Sequence, residues 1–198
     1  MKLQLILAIV CFTLYGMGYC SHASGSREKR GLSEVQKRNL IDALNKDRQE
    51  IGKKIGVKMK TMVYDPELEK GINDTSVQFC FKRFTLLLKW DSVGEEFWDA
   101  FTELNEKEGR VKPEPSRPFF DPDVTRVACS NTYHCARELN YRYFYKLPEM
   151  VGKTVEFFGK CLVYGVYEKE RNLDEAYEKV EKVEDLPPIS KYADIIGV

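Results

Sequence analysis

Histidine and cysteine are the residues of this chain best suited to catalytic or metal chemistry, and both are scarce. The two histidines are His22, near the N-terminus, and His134, next to Cys135 in a predicted surface loop. Zinc catalysis needs several imidazole or thiolate ligands and an open position. A catalytic triad built on His134 would also need a nucleophile, and the sequence has no Gly-x-Ser-x-Gly elbow. We therefore predict no catalytic residue, no metal site and no cofactor.

Cysteine usage indicates disulfide bonds. Of six cysteines, Cys11 lies in the apolar N-terminal run and Cys20 follows it, both within a predicted signal peptide that is removed on secretion. The four that remain are Cys80, Cys129, Cys135 and Cys161. An even number in an oxidising compartment predicts two disulfides. Four cysteines allow three connectivities, and the count alone does not choose among them.

Carboxylates are plentiful enough that composition does not exclude a glycosidase pair. The glutamates between residues 95 and 108 are nevertheless predicted to form the solvent-exposed face of a helix. Removing residues 1–30 takes away four of 31 basic and one of 31 acidic residues, which leaves 27 against 30. This balance excludes the basic footprint of a nucleic-acid-binding protein.

The N-terminus has the pattern of a secretory signal peptide over residues 1–23, with an apolar run too short for a permanent membrane span. We therefore predict a secreted, extracellular protein without a transmembrane anchor. A basic cluster follows over 24–30, and its members are Arg27, Lys29 and Arg30. It is either a pro-segment cut before Gly31 or an exposed linker. Asn73 begins a glycosylation sequon, which secretion would make usable.

Two helices are predicted early in the chain. The first, over 33–55, begins with a capping box of Ser33 and Gln36 and continues with an apolar stripe. The second begins at the aspartate and proline of 65–66 and is expected to end near Cys80.

A third helix is predicted from Ser92, with Glu95 as its capping partner, to a stop at Gly109. Its apolar stripe consists of Val93, Phe97, Phe101 and Leu104. Trp98 flanks this stripe and is predicted to be part of the core.

Strands are predicted in the second half of the chain. Four prolines make 110–122 a loop. A short strand over 124–129 and a longer one over 153–167 follow. Antiparallel pairing of these two strands would bring Cys129 close to Cys161. A helical tail over 169–198 completes an α+β order of elements.

Several motifs in this order resemble the CAP superfamily of sperm-coating proteins, venom allergens and plant pathogenesis-related proteins. They are Ala43-Leu44-Asn45-Lys46-Asp47-Arg48, Met59, Tyr64-Asp65, Leu68, Trp98, Thr125-Arg126-Val127-Ala128-Cys129, Cys135 and Cys161-Leu162-Val163-Tyr164. The resemblance covers roughly residues 33 to 168. It implies a three-layer α-β-α sandwich, over 31–168 here, and disulfides Cys129–Cys161 and Cys80–Cys135.

The residues of the family's metal-binding cavity are missing. Leu44 stands where the resemblance places the first histidine, and 114–116 read Glu-Pro-Ser where the second belongs. Phe101 takes an acidic position, although Glu103 is near enough that a shifted alignment could supply the acid. The closing Pro-x-Gly-Asn turn is also absent, since 165–168 read Gly-Val-Tyr-Glu. The chain is thus identified as a divergent member whose cavity chemistry is lost.

An aromatic segment between the predicted strands is the most unusual candidate for partner binding, and it contains Tyr141, Arg142, Tyr143 and Tyr145. Tyrosine and arginine are frequent anchors of interfaces. Packing against the sandwich is the alternative, and we favour it.

Three functions follow from these observations. The first is a secreted, non-enzymatic CAP-like protein that binds an extracellular protein or an apolar ligand such as a sterol or fatty acid, the ligand option resting on the resemblance alone. The second is an extracellular hydrolase on the same fold. The third is a propeptide-processed ligand or venom-type protein.

Overall fold

The structure, a computed structural model, describes residues 31–72, 85–140, 146–165 and 173–198, with side chains from 175 onward in the last range. These residues belong to one compact unit, Gly31–Val198. Several predictions fall outside the described residues and stay predictions. They concern the signal peptide, the basic cluster Arg27, Lys29 and Arg30, the sequon at Asn73, Cys80, and the segment with Tyr141, Arg142, Tyr143 and Tyr145.

Helix α1, Glu34–Ile55, begins as the sequence predicts. The Ser33 hydroxyl accepts a hydrogen bond from the Gln36 N–H at 3.3 Å, and the Gln36 amide oxygen accepts one from the Ser33 N–H at 2.9 Å. This reciprocal pair satisfies two N–H groups that a helix start leaves without partners. Gly56 ends the helix in the left-handed conformation, which glycine adopts at little cost.

Four strands form one mixed sheet in the order β1-β3-β4-β2. Strand β1, Val63–Tyr64, runs parallel to β3, Val124–Glu138. Strand β4, Thr154–Gly165, is antiparallel to β3 and to β2, Thr85–Trp90. Short helix α2, Pro66–Ile72, follows β1, and α3, Ser92–Lys107, follows β2.

Alternate residues of β2 show that the sheet is covered on both faces. Leu86 and Leu88 belong to a large hydrophobic cluster with α1, whereas Leu87 belongs to a second cluster against which α3 packs. Because neighbouring strand residues point to opposite faces, the sheet is the middle layer of three. The structure is the α+β, α-β-α sandwich that the sequence resemblance implies.

The C-terminal segment forms helices α4, Leu173–Glu181, and α5, Ile189–Ile196. A helical tail was expected here, and its helices pack into the large cluster together with α1. The buried members are Val180, Val183, Leu186, Ile189, Tyr192, Ala193 and Ile196. The C-terminal helices therefore complete one layer of the sandwich.

The structure corrects three local predictions. Strand β3 extends to Glu138 instead of ending at Cys129, so His134 lies in a strand and not in a loop. Strand β2 is absent from the predicted elements, and Asp91, not Ser92, caps α3 through a 2.9 Å bond from the Gly94 N–H. The second half of β3 is polar and alternates between exposed and half-buried residues, so it lacks the apolar signal of a core strand.

Candidate functional site

Three aromatic rings meet where β2 ends and α3 begins. The ring centroids of Trp90 and Trp98 are 5.4 Å apart, and those of Trp98 and Phe101 are 5.8 Å apart. A Cβ atom at Gly94 would lie 2.6 Å from the Cβ of Trp90 and 2.8 Å from the Cγ1 of Val155. Only glycine therefore lets α3 approach the sheet this closely. We call Trp90, Trp98 and Phe101 the aromatic cluster.

The aromatic cluster is half-buried, and none of its three rings is enclosed. Within α3 the buried residues are Gly94 and Asn105. Trp90 and Phe101 pack against the second hydrophobic cluster, and Trp98 contacts these two rings at its margin. Trp98 thus flanks the apolar stripe as predicted, but it is not buried core. Large aromatic side chains that keep part of their surface in solvent are typical interface anchors.

Three exposed carboxylates lie on α3 beside Trp98. At about 100° per residue, Glu95, Asp99 and Glu106 project within roughly 60–100° of the Trp98 direction around the helix axis. Among the described residues, none of the three has an ion-pair partner. We call Glu95, Asp99 and Glu106 the acidic stripe.

Two other glutamates of α3 are already paired with lysines. Glu96 binds Lys153 with a carboxylate–ammonium distance of 2.8 Å, and Glu103 binds Lys107 at 2.6 Å. The hydrogen bond from Lys107 lowers the pKa of Glu103. The charge left unpaired on this helix therefore lies on the Trp98 side.

A second exposed row crosses the other end of the sheet. Val63, Arg126 and Tyr164 are cross-strand neighbours on β1, β3 and β4, and the two apolar members are 54% and 46% exposed. The Arg126 guanidinium lies 4.2 Å from the Tyr164 ring centroid and 3.0 Å from a carboxylate oxygen of Asp65. This geometry holds an arginine between an aromatic face and a carboxylate.

The ionisation of Asp65 reflects the same contacts. Burial opposes its charge, but N–H groups of Leu68 and Glu67 donate hydrogen bonds to it, and Arg126 adds a third. Together these bonds hold the pKa of Asp65 below its usual value, so the carboxylate is charged near neutral pH.

Arg48 is a buried cation with a structural role. Its side chain is 1% exposed and donates to backbone oxygens of the loop before β1 and of the segment before β3. The acceptors are Lys60 at 2.9 Å, Asp121 at 2.9 Å, Val124 at 3.0 Å, Pro122 at 3.5 Å and Phe119. Burial lowers its pKa to about 10, against the opposing influence of Asp121 and Asp123. Through these hydrogen bonds, Arg48 holds the loop before β1 and the segment before β3 against α1.

The neighbouring Asp47 ties α5 to α1. Its carboxylate accepts hydrogen bonds from the Lys191 ammonium at 2.6 and 2.8 Å and from the Tyr192 hydroxyl at 2.7 Å. Burial and the hydrogen bond to Asp47 raise the pKa of Tyr192. The Tyr192 ring also packs edge-on against Phe119, with centroids 5.1 Å apart.

The positions that the resemblance assigns to a metal cavity do not converge. Leu44 is fully buried in the large cluster, whereas Phe101 packs on the opposite face of the sheet. Glu103 is exposed and paired with Lys107, and the hydroxyl of Ser116 donates to the carbonyl of Pro187 at 2.6 Å. Leu44 and Phe101 thus make hydrophobic contacts, Ser116 bonds to a backbone carbonyl, and Glu103 is held in an ion pair.

His134 lies on the exposed part of β3. Its Nε2 atom is 3.1 Å from a carboxylate oxygen of Glu156, and its ring stacks on Phe158 with centroids 5.1 Å apart. In the part of the chain that the structure describes, no group of three or more His, Cys, Asp or Glu residues could hold a metal ion.

Of the two expected disulfides, one joins described residues and the other involves a residue outside them. Cys129 and Cys161 are paired opposite each other on β3 and β4 and form a disulfide. Cys135 is also disulfide-bonded. Its implied partner, Cys80, lies outside the described residues, so the second pairing stays a prediction. The three layers and the Cys129–Cys161 bond are those that the resemblance implies.

The chain folds as a three-layer α+β sandwich around one four-stranded sheet. No protein-family model matches the sequence, and no curated protein matches it significantly. Among solved structures, the hookworm platelet inhibitor is 15% identical over 71% of this chain and 75% of its own length, with a TM-score of 0.39. The structure of MpPR-1i is 10% identical over 67% of this chain and 90% of its own, with a TM-score of 0.32. At these values, nothing about ligand, partner or activity carries over from either protein to this chain.

The sequence predicts only part of the aromatic cluster and the acidic stripe. The aromatic stripe and the acidic residues of α3 are readable from the sequence. The role of Gly94 and the position of Trp90 beside Trp98 depend on β2, which was not among the predicted elements.

Proposed function

We propose that this chain is a secreted, non-enzymatic CAP-like protein that binds an extracellular protein through α3. The observation that carries the proposal is the half-exposed Trp98, held against Trp90 and Phe101 at the surface of a helix that packs on the sheet. An aromatic anchor on rigid elements loses little conformational entropy when a partner covers it. The exposed Glu95 and Asp99 beside it supply a polar rim.

The placement of the polar residues supports a role without catalysis. His134 and Glu156 are exposed on a strand, with side chains 52% and 47% accessible. A general base works in a site that excludes water and holds a nucleophile within hydrogen-bond reach. The buried ionisable residues Asp47 and Arg48 are engaged in tying helices and loops together. Binding therefore accounts for the exposed residues better than hydrolysis does.

We favour a protein partner over a sterol or fatty acid. Apolar ligands favour concave sites lined mainly by hydrophobic side chains. The aromatic cluster, in contrast, is open to solvent and suits a larger partner.

Affinity capture with matched variants tests this proposal. The mature protein is immobilised and incubated with extracellular fluid from its source, beside Trp98→Ala and the control Tyr177→Ala. Tyr177 is 43% exposed on α4 and provides a more exposed aromatic side chain away from the aromatic cluster. We expect captured proteins to be lost with Trp98→Ala and kept with Tyr177→Ala. Circular dichroism checks that both variants are folded, and equal capture by all three proteins would refute the proposal.

Secretion and processing belong to the same proposal. No described helix is long and apolar enough to cross a bilayer. Cleavage after Arg30, the last residue of the basic cluster, would give a mature N-terminus at Gly31. Mass spectrometry of the mature N-terminus is the measurement. An N-terminus at Gly31 agrees with processing, whereas one at Ser21 or Ser24 means that Arg30 is retained.

A further inference from the structure

We infer that the partner presents a short, extended basic segment, with arginine or lysine side chains at alternate positions, to the aromatic cluster and the acidic stripe. This inference rests on the proposed function and names the chemical class of the partner.

The local charge indicates a cationic partner. The chain as a whole is balanced, with 31 basic and 31 acidic residues. On α3, however, Glu95, Asp99 and Glu106 are exposed, and no ion pair joins them to a cation among the described residues. Such a surface attracts cations and repels anionic lipids and nucleic acids.

The rings beside the stripe favour the same class of partner. Aromatic faces carry a negative quadrupole that attracts ammonium and guanidinium groups, and tryptophan does so most strongly. Glu95 and Asp99 flank Trp98 on its solvent side. A guanidinium placed over Trp98 could therefore reach a carboxylate at the same time.

The structure already contains a guanidinium held between an aromatic ring and a carboxylate at another place in the sheet. Arg126 lies 4.2 Å from the centroid of Tyr164 and 3.0 Å from a carboxylate oxygen of Asp65. The Trp98 surface offers a ring and carboxylates, and in the part of the chain that the structure describes no cation is paired with either. The missing cation would come from the partner.

The spacing of the carboxylates selects a peptide segment over a small cation. From Glu95 to Glu106 the helix advances about 16 Å, at about 1.5 Å per residue. Several separate cations are needed to pair with charges spread over this length. Glu95 and Asp99 are about 6 Å apart along the axis, close to the roughly 7 Å between alternate residues of an extended chain. Basic residues at two alternate positions would thus meet Glu95 and Asp99, whereas Glu106, about 10 Å further along the axis, would need a third basic residue beyond them.

Tryptophan fluorescence provides a direct measurement, because both tryptophans of the chain, Trp90 and Trp98, belong to the aromatic cluster. The probe is a synthetic peptide of alternating arginine and serine. Its control has citrulline in place of each arginine, which keeps the planar shape and removes the charge. We expect the arginine peptide to change the fluorescence of the full mature protein saturably, and the citrulline peptide to bind at least about tenfold more weakly.

Charge variants locate the binding surface. Glu95→Gln combined with Asp99→Asn should weaken binding of the arginine peptide about 3- to 10-fold, as expected for two exposed ion pairs. The control pair Glu178→Gln and Glu181→Gln changes the net charge equally on exposed positions of α4 and should leave the dissociation constant within about twofold.

The outcomes separate this inference from the proposed function. Equal binding of the arginine and citrulline peptides would overturn it, and so would equal effects of the two double variants. If Trp98→Ala abolishes capture while the charge variants capture normally, the proposed function stands and the basic partner is wrong. If Trp98→Ala leaves capture intact, the proposed function itself is wrong.

Discussion

Replacing Arg48 by methionine should destabilise the fold more than any other single change on α1. The side chain is 1% exposed and donates to carbonyl groups of two separate connections. Methionine fills a similar volume but donates no hydrogen bond. The carbonyls of Lys60, Asp121 and Val124, which lie 2.9 to 3.0 Å from the guanidinium, would all lose their charged donor.

The expected loss in the free energy of unfolding is about 3–5 kcal/mol. A buried acceptor left without its partner costs about 1–3 kcal/mol, and Arg48 serves several. The gross cost is offset because methionine has no charge to desolvate, and because loop carbonyls can move towards water. Three carbonyl groups left without their donor at about 1–3 kcal/mol each, reduced by these two effects, leave a net cost of about 3–5 kcal/mol. Such a loss is a large fraction of the stability of an ordinary domain.

Urea unfolding followed by circular dichroism measures this loss, with the free energy extrapolated to water. The control is Arg38→Met, which makes the same change at an exposed position of the same helix and should cost under about 0.5 kcal/mol. If Arg48→Met costs less than about 1 kcal/mol, the carbonyl groups do not depend on the guanidinium and the structural role assigned to it is wrong.

Three further measurements test the core and the expected lack of metal chemistry. Replacing Cys129 and Cys161 by alanine should cost about 2–4 kcal/mol and impair secretion; a peptide map joining Cys129 to another cysteine would contradict the pairing. Tyr192→Phe removes the hydrogen bond to Asp47 and should cost about 1–3 kcal/mol in urea unfolding, whereas a loss of only a few tenths would mean that Lys191 satisfies the carboxylate alone. Calorimetry at neutral pH should find no zinc site tighter than about 10 μM, or about −7 kcal/mol; a tighter stoichiometric site would show that the cavity chemistry is not lost.

Interactions between residues close together in the sequence predicted the start of α1 and the extent of β4. The capping box of Ser33 and Gln36 fixes the start of α1 within one residue, because both hydrogen bonds join residues three positions apart. Strand β4 was also predicted to within two residues at each end. Antiparallel pairing of the two predicted strands would place Cys129 beside Cys161, and the structure shows this pairing and this disulfide.

Features that depend on tertiary packing were missed. The run Leu86-Leu87-Leu88 has no alternation, because β2 contributes side chains to both hydrophobic clusters. The apolar stripe of α3 predicted Trp98 as core, since periodicity shows which side of a helix faces the protein but not how far its margin is covered. The position of Trp98 at that margin is set by Trp90, a residue of another element.

The placement of α5 has a consequence for biosynthesis. Its side chains fill the large hydrophobic cluster beside α1, and the carbonyl of Ile196 accepts hydrogen bonds from Gln36 and Asn131. A growing polypeptide would therefore leave this cluster incomplete until residues 189–196 have left the ribosome. Contacts across this sequence separation also close slowly, because loop-closure entropy opposes them. Until then, the apolar surface that α5 later covers would be open to chaperones.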